Sequence, residues 1–526
     1  MAHCWPNDRT VSGLTTAWVL LGVVIATLLV LVLFSQTCST GPCRLPPIPV
    51  PPQSEVVSHV FYCPEKPATP LFARVQVLID SSGSMNGFQK SVPSVQAWMR
   101  QGVSMLRGSQ IELKEYRACF FDGSRGIGAC AQDFGKPQSA FKAQGATNLD
   151  QAILSAENYD LSLIATDGVA STGARTGDCA GGVDAACVGR SLISVLKSYQ
   201  DVQKGPAGGL WVIPLVSRFE GSFPTERALS PKEFQVSQVV EKVREEVAQV
   251  VAITDLKQGP GGQLLYQYAG SKAWFLLILA RQVQLGRAAA HALSQQMSMS
   301  GVQPVQDLSD FKQGLGAFRP IEIFPGTLPA PKWKGANLLH DPSTRKRNFC
   351  GNVGYEWDAQ ESVLKLRCRD RNAEILLGFP VETNQSPAQC VELSLLAPFH
   401  LELGPAEAST GGMLAASASS WTSKQVSVHL KCGASSQTGT GGGRLEKYVW
   451  KAQPDLAKAA DCLASSAASD CPSETLSLLN QLSTENPAYQ PHRTFGLVPT
   501  LRFFLKEAGA LAVDPKITMI AFSRGE

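Results

Sequence analysis

Apolar positions along this chain follow two regimes. From about residue 70 to 300, short apolar runs alternate with stretches whose apolar residues recur every three to four positions. Val75-Gln76-Val77-Leu78-Ile79 and Leu161-Ser162-Leu163-Ile164-Ala165 read as short buried strands. Further strands are predicted over Ile111 to Phe121, with Gly128 to Gln132 returning beside it, over Gly209 to Leu215, and over Trp274 to Ala280. Helical spacing predicts helices over Ser91 to Leu106, Asn148 to Asn158, Ala185 to Tyr199, Val236 to Val250 and Leu285 to Met297. Residues 250–272 fit neither period. Strands that alternate with helices imply an α/β domain with a mainly parallel sheet.

After about residue 316 the pattern changes. Ser362 to Arg367, Ala373 to Val381, Cys390 to Leu396 and Lys424 to Leu430 are β-rich and separated by Gly, Pro, Asn and Ser. That spacing predicts a small antiparallel sandwich or barrel over 316–452. Ala408 to Ser420 and Gly433 to Gly443 are Ser/Gly/Ala-rich and read as long loops. The final part, 453–526, mixes short helices (Asp455 to Ser466, Glu474 to Leu482), a longer one (Val498 to Leu511) and a strand at Ile517 to Phe522.

The N-terminus has a pattern of its own. A short tail, 1–14, precedes Thr15 to Phe34, which carries no charge over twenty residues. A helix of that length crosses a hydrocarbon core of about 30 Å. A cleaved signal peptide has a shorter apolar region and a small-residue cleavage site, and Ser35-Gln36-Thr37-Cys38 matches that site poorly. The expectation is an uncleaved transmembrane anchor, 15–34, that ties the chain to the membrane. A Pro-rich linker, 35–69, follows, with six prolines between Pro42 and Pro52 that favour an extended stalk.

Composition narrows the function classes. At 526 residues and a formal charge of +3, the chain has no basic excess that calls for nucleic acid. Thirteen of its fourteen cysteines follow the apolar run. Several are spaced like closed loops: Cys119 with Cys130, Cys179 with Cys187, Cys350 with Cys368, Cys462 with Cys471. No CxxC occurs, and the histidines are isolated, so zinc-ligand spacing is absent. Disulfides persist in oxidising compartments, so the bulk of the chain is expected in a periplasm or extracellular space.

Chemistry concentrates where two predicted strands end in acids. Ile79 leads to Asp80, and Ala165-Thr166 leads to Asp167. In an open parallel sheet, such ends meet in the crevice where strand order reverses. The run Asp80-Ser81-Ser82-Gly83-Ser84 puts a carboxylate and two hydroxyls on one side of a turn. Between the strands, Gly145-Ala146-Thr147-Asn148 offers a further hydroxyl just before a helix. Asp80, Ser82, Ser84, Thr147 and Asp167 form an all-oxygen donor set, suited to Mg²⁺, Mn²⁺ or Ca²⁺ and unsuited to zinc or copper. Ser82 has no recognisable base, and Gly439 to Gly443 lacks the Lys and Ser/Thr of a phosphate loop, so no enzyme is expected.

The run VQVLIDSSGSM, then GATNLD, then LIATDG, resembles the three-part metal-ion-dependent adhesion site of von Willebrand factor A domains. The resemblance covers roughly residues 70 to 300. It implies a Rossmann-like sheet wrapped by helices. It also implies that the first motif and Thr147 bind metal directly or nearly so, with Asp167 acting through water. The cysteine pairs near the sheet ends are not a general feature of that family. The function expected is metal-dependent capture of a protein partner that offers an acidic residue. The alternatives are an architectural part of an envelope or secretion-type assembly with a purely structural metal, or an accessory subunit of an ATPase complex.

Overall fold

The computed structural model describes residues 59–62, 70–90, 94–109, 111–123, 126–131, 147–168, 185–202, 208–228, 252–258, 263–299, 302–305 and 315–324, and the helices and strands between 337 and 524. The expected anchor at 15–34, the helix at 236–250, the loop at 433–443, and Cys179 and Cys350 lie outside the described residues. Among the described residues no helix is long and apolar enough to cross a membrane.

In chain order the strands begin with β1 (His59–Tyr62), β2 (Leu71–Asp80), β3 (Ile111–Asp122), β4 (Gly126–Ala131) and β5 (Leu161–Thr166). They continue with β6 (Gly209–Ala228), β7 (Ala252–Gln258), β8 (Gln263–Ala280), β9 (Gln303–Pro304), β10 (Leu315–Ala317) and β11 (Ile321–Phe324). Among the described residues, four α-helices fall between them: α1 (Val95–Gly108), α2 (Leu149–Leu154), α3 (Ala185–Val202) and α4 (Val283–Met299). Ser94 caps α1, its Oγ accepting from the Ala97 amide at 3.3 Å.

Beyond these come β12 (Asn337–His340), β13 (Val353–Asp358), β14 (Val363–Cys368), β15 (Glu374–Pro380), β16 (Val391–Leu395) and β17 (Phe399–Pro405). Then follow β18 (Leu414–Thr422), β19 (Gln425–Cys432), β20 (Leu445–Pro454), β21 (Ser483–Thr484), β22 (Thr494–Phe495) and β23 (Met519–Arg524). Three more helices are α5 (Leu456–Ala464), α6 (Ser473–Leu482) and α7 (Leu497–Glu507).

The main sheet runs β1-β16-β11-β6-β8-β5-β2-β3-β4. At its heart β3, β2 and β5 are parallel. After β2 the chain crosses through α1 to β3 on one side, then through α2 to β5 on the other. Strand order therefore reverses at β2. Beyond β5 the pairing turns antiparallel, because β8 inserts between β5 and β6. Residues 252–258 and 263–272, without a period of their own, are drawn into strands by this ladder: β8 runs on past the point where Thr166 pairs with Phe275, still paired with β6 and β7. Pairing, rather than alternation of side chains, sets the extended backbone there. The same holds for β18, whose small residues read as a loop but pair with β19. The later strands also form a four-stranded sheet, β12-β15-β19-β18, and a five-stranded one, β13-β14-β23-β20-β17.

Alternation sends side chains of the main sheet into two cores. On one face Val75, Val77, Ile79, Leu163, Trp211 and Trp274 pack under α1 and α4. On the other, Leu78, Ile164, Leu210, Val212 and Phe275 pack under α2, α3, α5 and α7. The result is mixed α/β, a sheet between helical layers. Trp98 of α1 meets Trp274 edge-on with ring centroids 5.5 Å apart. Gly87 and Gly221 allow the 3-10 helix Gly83–Lys90 to cross β6 closely: a Cβ built on Gly221 would stand 3.1 Å from the Gly87 Cα.

A buried ion pair ties α4 to β11. Arg287 donates from Nε and Nη2 to the two oxygens of Glu322, both at 2.9 Å, and the Trp211 indole donates to the same carboxylate at 2.7 Å. Glu322 is fully buried and Arg287 nearly so. Removing one partner strands the other's charge in the core. Glu322→Ala is therefore expected to lose about 3–5 kcal/mol of unfolding free energy. Arg218→Ala, which breaks the exposed Arg218–Glu220 pair, should change stability little. Denaturant titrations of both variants check the contrast.

Candidate metal centre

The three segments carrying the predicted ligands converge beyond the carboxyl ends of β2, β3 and β5. Asp80 is the last residue of β2. Its Oδ1 accepts the Ser82 amide at 2.8 Å, which folds the chain back over the carboxylate. The Ser82 carbonyl accepts the Met85 amide at 3.1 Å as the 3-10 helix begins. The hydroxyls of Ser82 and Ser84 then meet at 3.1 Å. Ser81 turns the other way. Its amide and hydroxyl both donate to the Phe121 carbonyl on β3, at 2.9 and 3.0 Å.

On β5, Thr166 joins two of the loops. Its hydroxyl donates to Asp80 Oδ2 at 2.8 Å and accepts the Gly168 amide at 3.1 Å. Gly168 has φ +77°, a left-handed conformation that turns the chain sharply after Asp167. Thr147 stands at the head of α2. Its neighbour Asn148 donates to the Gly123 carbonyl at 3.3 Å, tethering that turn to the end of β3. Since Asp80 pairs with Phe121, Gly123 lies just beyond the end of β2.

All five residues are buried. Asp80 and Asp167 are 0% exposed, Ser82 and Thr147 1%, Ser84 8%. Burial first, and then the negative charge of Asp167, push the Asp80 carboxyl up to about 8; the hydrogen bonds from Ser82 and Thr166 act in the opposite direction. Two acids sharing a desolvated space is an arrangement that a divalent cation would relieve. The residues fit such an ion: two carboxylates and three hydroxyls, all hard oxygen donors. Among the described residues no group of three or more His, Cys, Asp or Glu side chains is set to hold a metal. A centre with two carboxylates belongs to a different class.

Sequence reasoning missed Ser81 and Thr166, which hold the loops rather than join the donor set. Thr166 carried a signal: a hydroxyl that closes a buried strand needs a polar partner. Asp122 and Asp150 are also buried at this end of the sheet. Among the histidines, His492 is buried, and desolvation with the charges of Arg493 and Lys272 pushes it down to about 3, so it stays neutral.

The expected pairs Cys119–Cys130 and Cys462–Cys471 are disulfides. Cys187 is disulfide-bonded as well. The chain matches no protein-family model, and comparison with curated proteins and with solved structures likewise gives no match.

The acid pair predicts an inverted pH dependence. Asp80 holds its proton in the folded chain well above its usual 3.8. In chelator, its contribution to stability is greatest below about pH 4 and declines as pH rises toward about 8. Wild type should melt progressively lower across that interval, and Asp80→Asn should flatten the decline. Thermal melts at stepped pH test this, and parallel curves for the two proteins would contradict it.

Proposed function

We propose that this chain is a divalent-cation-dependent binding protein in which Asp80, Ser82, Ser84, Thr147 and Asp167 hold Mg²⁺, or Mn²⁺ or Ca²⁺, for capture of a protein partner through an acidic side chain. One observation carries the reading: two fully buried carboxylates at the ends of separate strands stand within electrostatic reach of each other, with the hydroxyls of Thr166 and Ser82 on Asp80, where the strand order reverses. Crevices of that kind are where open α/β sheets bind ligands. The likeness of the three segments to von Willebrand factor A domains supports the same reading.

When bound, the cation supplies positive charge and a coordination position for an incoming carboxylate. The protein's part is orientation. Thr166 fixes one oxygen of Asp80 and the Ser82 amide the other, so this carboxylate cannot swing into solvent. Ser82 and Ser84 present neutral donors, which leaves the site with two formal negative charges. A bound dication is then not over-neutralised and retains affinity for an acidic partner.

Within this proposal the uncharged run 15–34 anchors the chain and the bulk lies outside the cytoplasm, supported by the disulfides Cys119–Cys130 and Cys462–Cys471.

A second reading has its own support. None of the five residues is more than 8% exposed, which suits a cation that serves the fold of an architectural component.

Titration calorimetry of the full chain with Mn²⁺ and Mg²⁺ tests the centre. Wild type should take up one ion, Asp80→Ala should take up none, and Ser82→Ala should bind at least about tenfold more weakly. No uptake by wild type would end both readings. Capture of a purified partner that is lost in chelator and in Asp80→Ala favours the first reading; capture retained in both, with a lowered melting temperature in chelator, favours the second.

A further inference from the structure

Two of the three loops of the proposed centre hang from one short stretch of backbone. The Phe121 carbonyl takes both donors of Ser81, and the Gly123 carbonyl takes the Asn148 side chain. Residues 121–123 are the tip of the β3–β4 hairpin. β4 is six residues long and, among the described residues, ends the sheet, its backbone ladder running to β3. The ladder is also irregular: the register shifts between Cys119 and Phe121. At that shift Cys119 and Cys130 face each other and are joined by a disulfide. The covalent link therefore closes the hairpin two residues before the carbonyl that holds Ser81.

The two described disulfides differ in access. Cys462 and Cys471 are both buried, at 2% and 6% exposure. Cys119 is buried at 2%, but Cys130 is exposed on the edge strand. A thiolate from solvent meets the Cys119–Cys130 bond first.

We propose that the Cys119–Cys130 disulfide is a redox-sensitive positioning element of the metal centre, so that a dithiol reductant weakens cation binding by releasing the hairpin tip that holds Ser81 and Asn148. The proposal rests on the metal-centre reading above. A reductant thiolate attacks the Cys130 sulfur, giving a mixed disulfide and releasing the Cys119 thiolate. The second reductant thiol displaces the Cys130 thiolate and closes the reductant's own disulfide. Two electrons and two protons pass to the protein, and the reductant is oxidised. β4 is then held by an irregular ladder and the packing of Ile127 against the second core, without a covalent link, and the carbonyls of Phe121 and Gly123 lose their fixed aim. Groups that orient metal ligands from behind are typically worth about 10- to 100-fold in affinity.

The test is Mn²⁺ titration of the full chain after stepwise reduction with dithiothreitol, with alkylation and peptide mass mapping at each step. Cys119 and Cys130 should label before Cys462 and Cys471. Affinity should fall about tenfold or more in step with that first labelling and recover on reoxidation. Cys119→Ser/Cys130→Ser should bind as weakly as the reduced protein, while Cys462→Ser/Cys471→Ser binds like wild type. Asn148→Ala should weaken binding in the oxidised chain and add little in the Cys119→Ser/Cys130→Ser background, since both act through the same tip. Unchanged affinity once Cys119 and Cys130 are fully labelled would overturn the proposal and leave the metal centre standing. No Mn²⁺ uptake by the oxidised wild type would overturn the metal centre itself. Should the double variant fail to fold, the reduction series on wild type decides alone.

Discussion

Placing two carboxylates together where water cannot reach them is costly, and the carboxyl end of this sheet is organised around that cost. Asp80 and Asp167 are both fully buried, and that burial first, then their proximity, raises the proton affinity of Asp80. An arrangement that opposes stability survives when its surroundings hold it in place and a ligand offsets it. Thr166, the Ser82 amide and the left-handed turn at Gly168 do the holding. The offset, in our proposal, is a divalent cation.

The rest of the fold supplies the rigidity this demands. The strands that deliver both acids are buried on both faces, one face under α1 and α4, the other under α2, α3, α5 and α7. Helices from the far end of the chain thus complete the second core, with Phe504 of α7 meeting Phe324 of β11 edge-on. At the opposite end of β5, Asp160 receives both Arg74 and Arg281. That pairing fixes the start of the strand whose other end carries Thr166. The Arg287–Glu322–Trp211 network locks β11 and α4 onto the antiparallel part. Strand ends held this firmly can aim side chains within the tolerance a metal requires.

The antiparallel ladder of β6 and β8 makes the surroundings of the centre unlike an all-parallel sheet. Both strands run past the end of β5, and the 3-10 helix that follows Ser82 lies against β6, with Phe88 edge-on to Phe219 at 5.1 Å. The turn bearing the serine hydroxyls is therefore braced on one side by this extension and on the other by the β3–β4 hairpin.

Much of this was legible in the residues themselves. The apolar runs at 75–79 and 161–165 had to be buried strands, because nothing else accommodates such short runs between helical periods. Asp80 and Asp167 could be nominated as acids that close buried strands, and Ser82, Ser84 and Thr147 as hydroxyls in the adjoining turns, in an order that resembles the three-part motif of von Willebrand factor A domains. Local order is enough for that, since strand, turn and helix caps depend on neighbours in sequence. What the chain could not disclose alone was decided by pairing at a distance. Residues 252–258, 263–272 and 414–422 lack a period and become strands only because β6, β8 and β19 offer ladders. The roles of Ser81 and Thr166 likewise depend on which strand lies alongside β2. The charge state of Asp80 depends on burial and on Asp167, eighty-seven positions away in sequence, and such terms exist only once the sheet has closed.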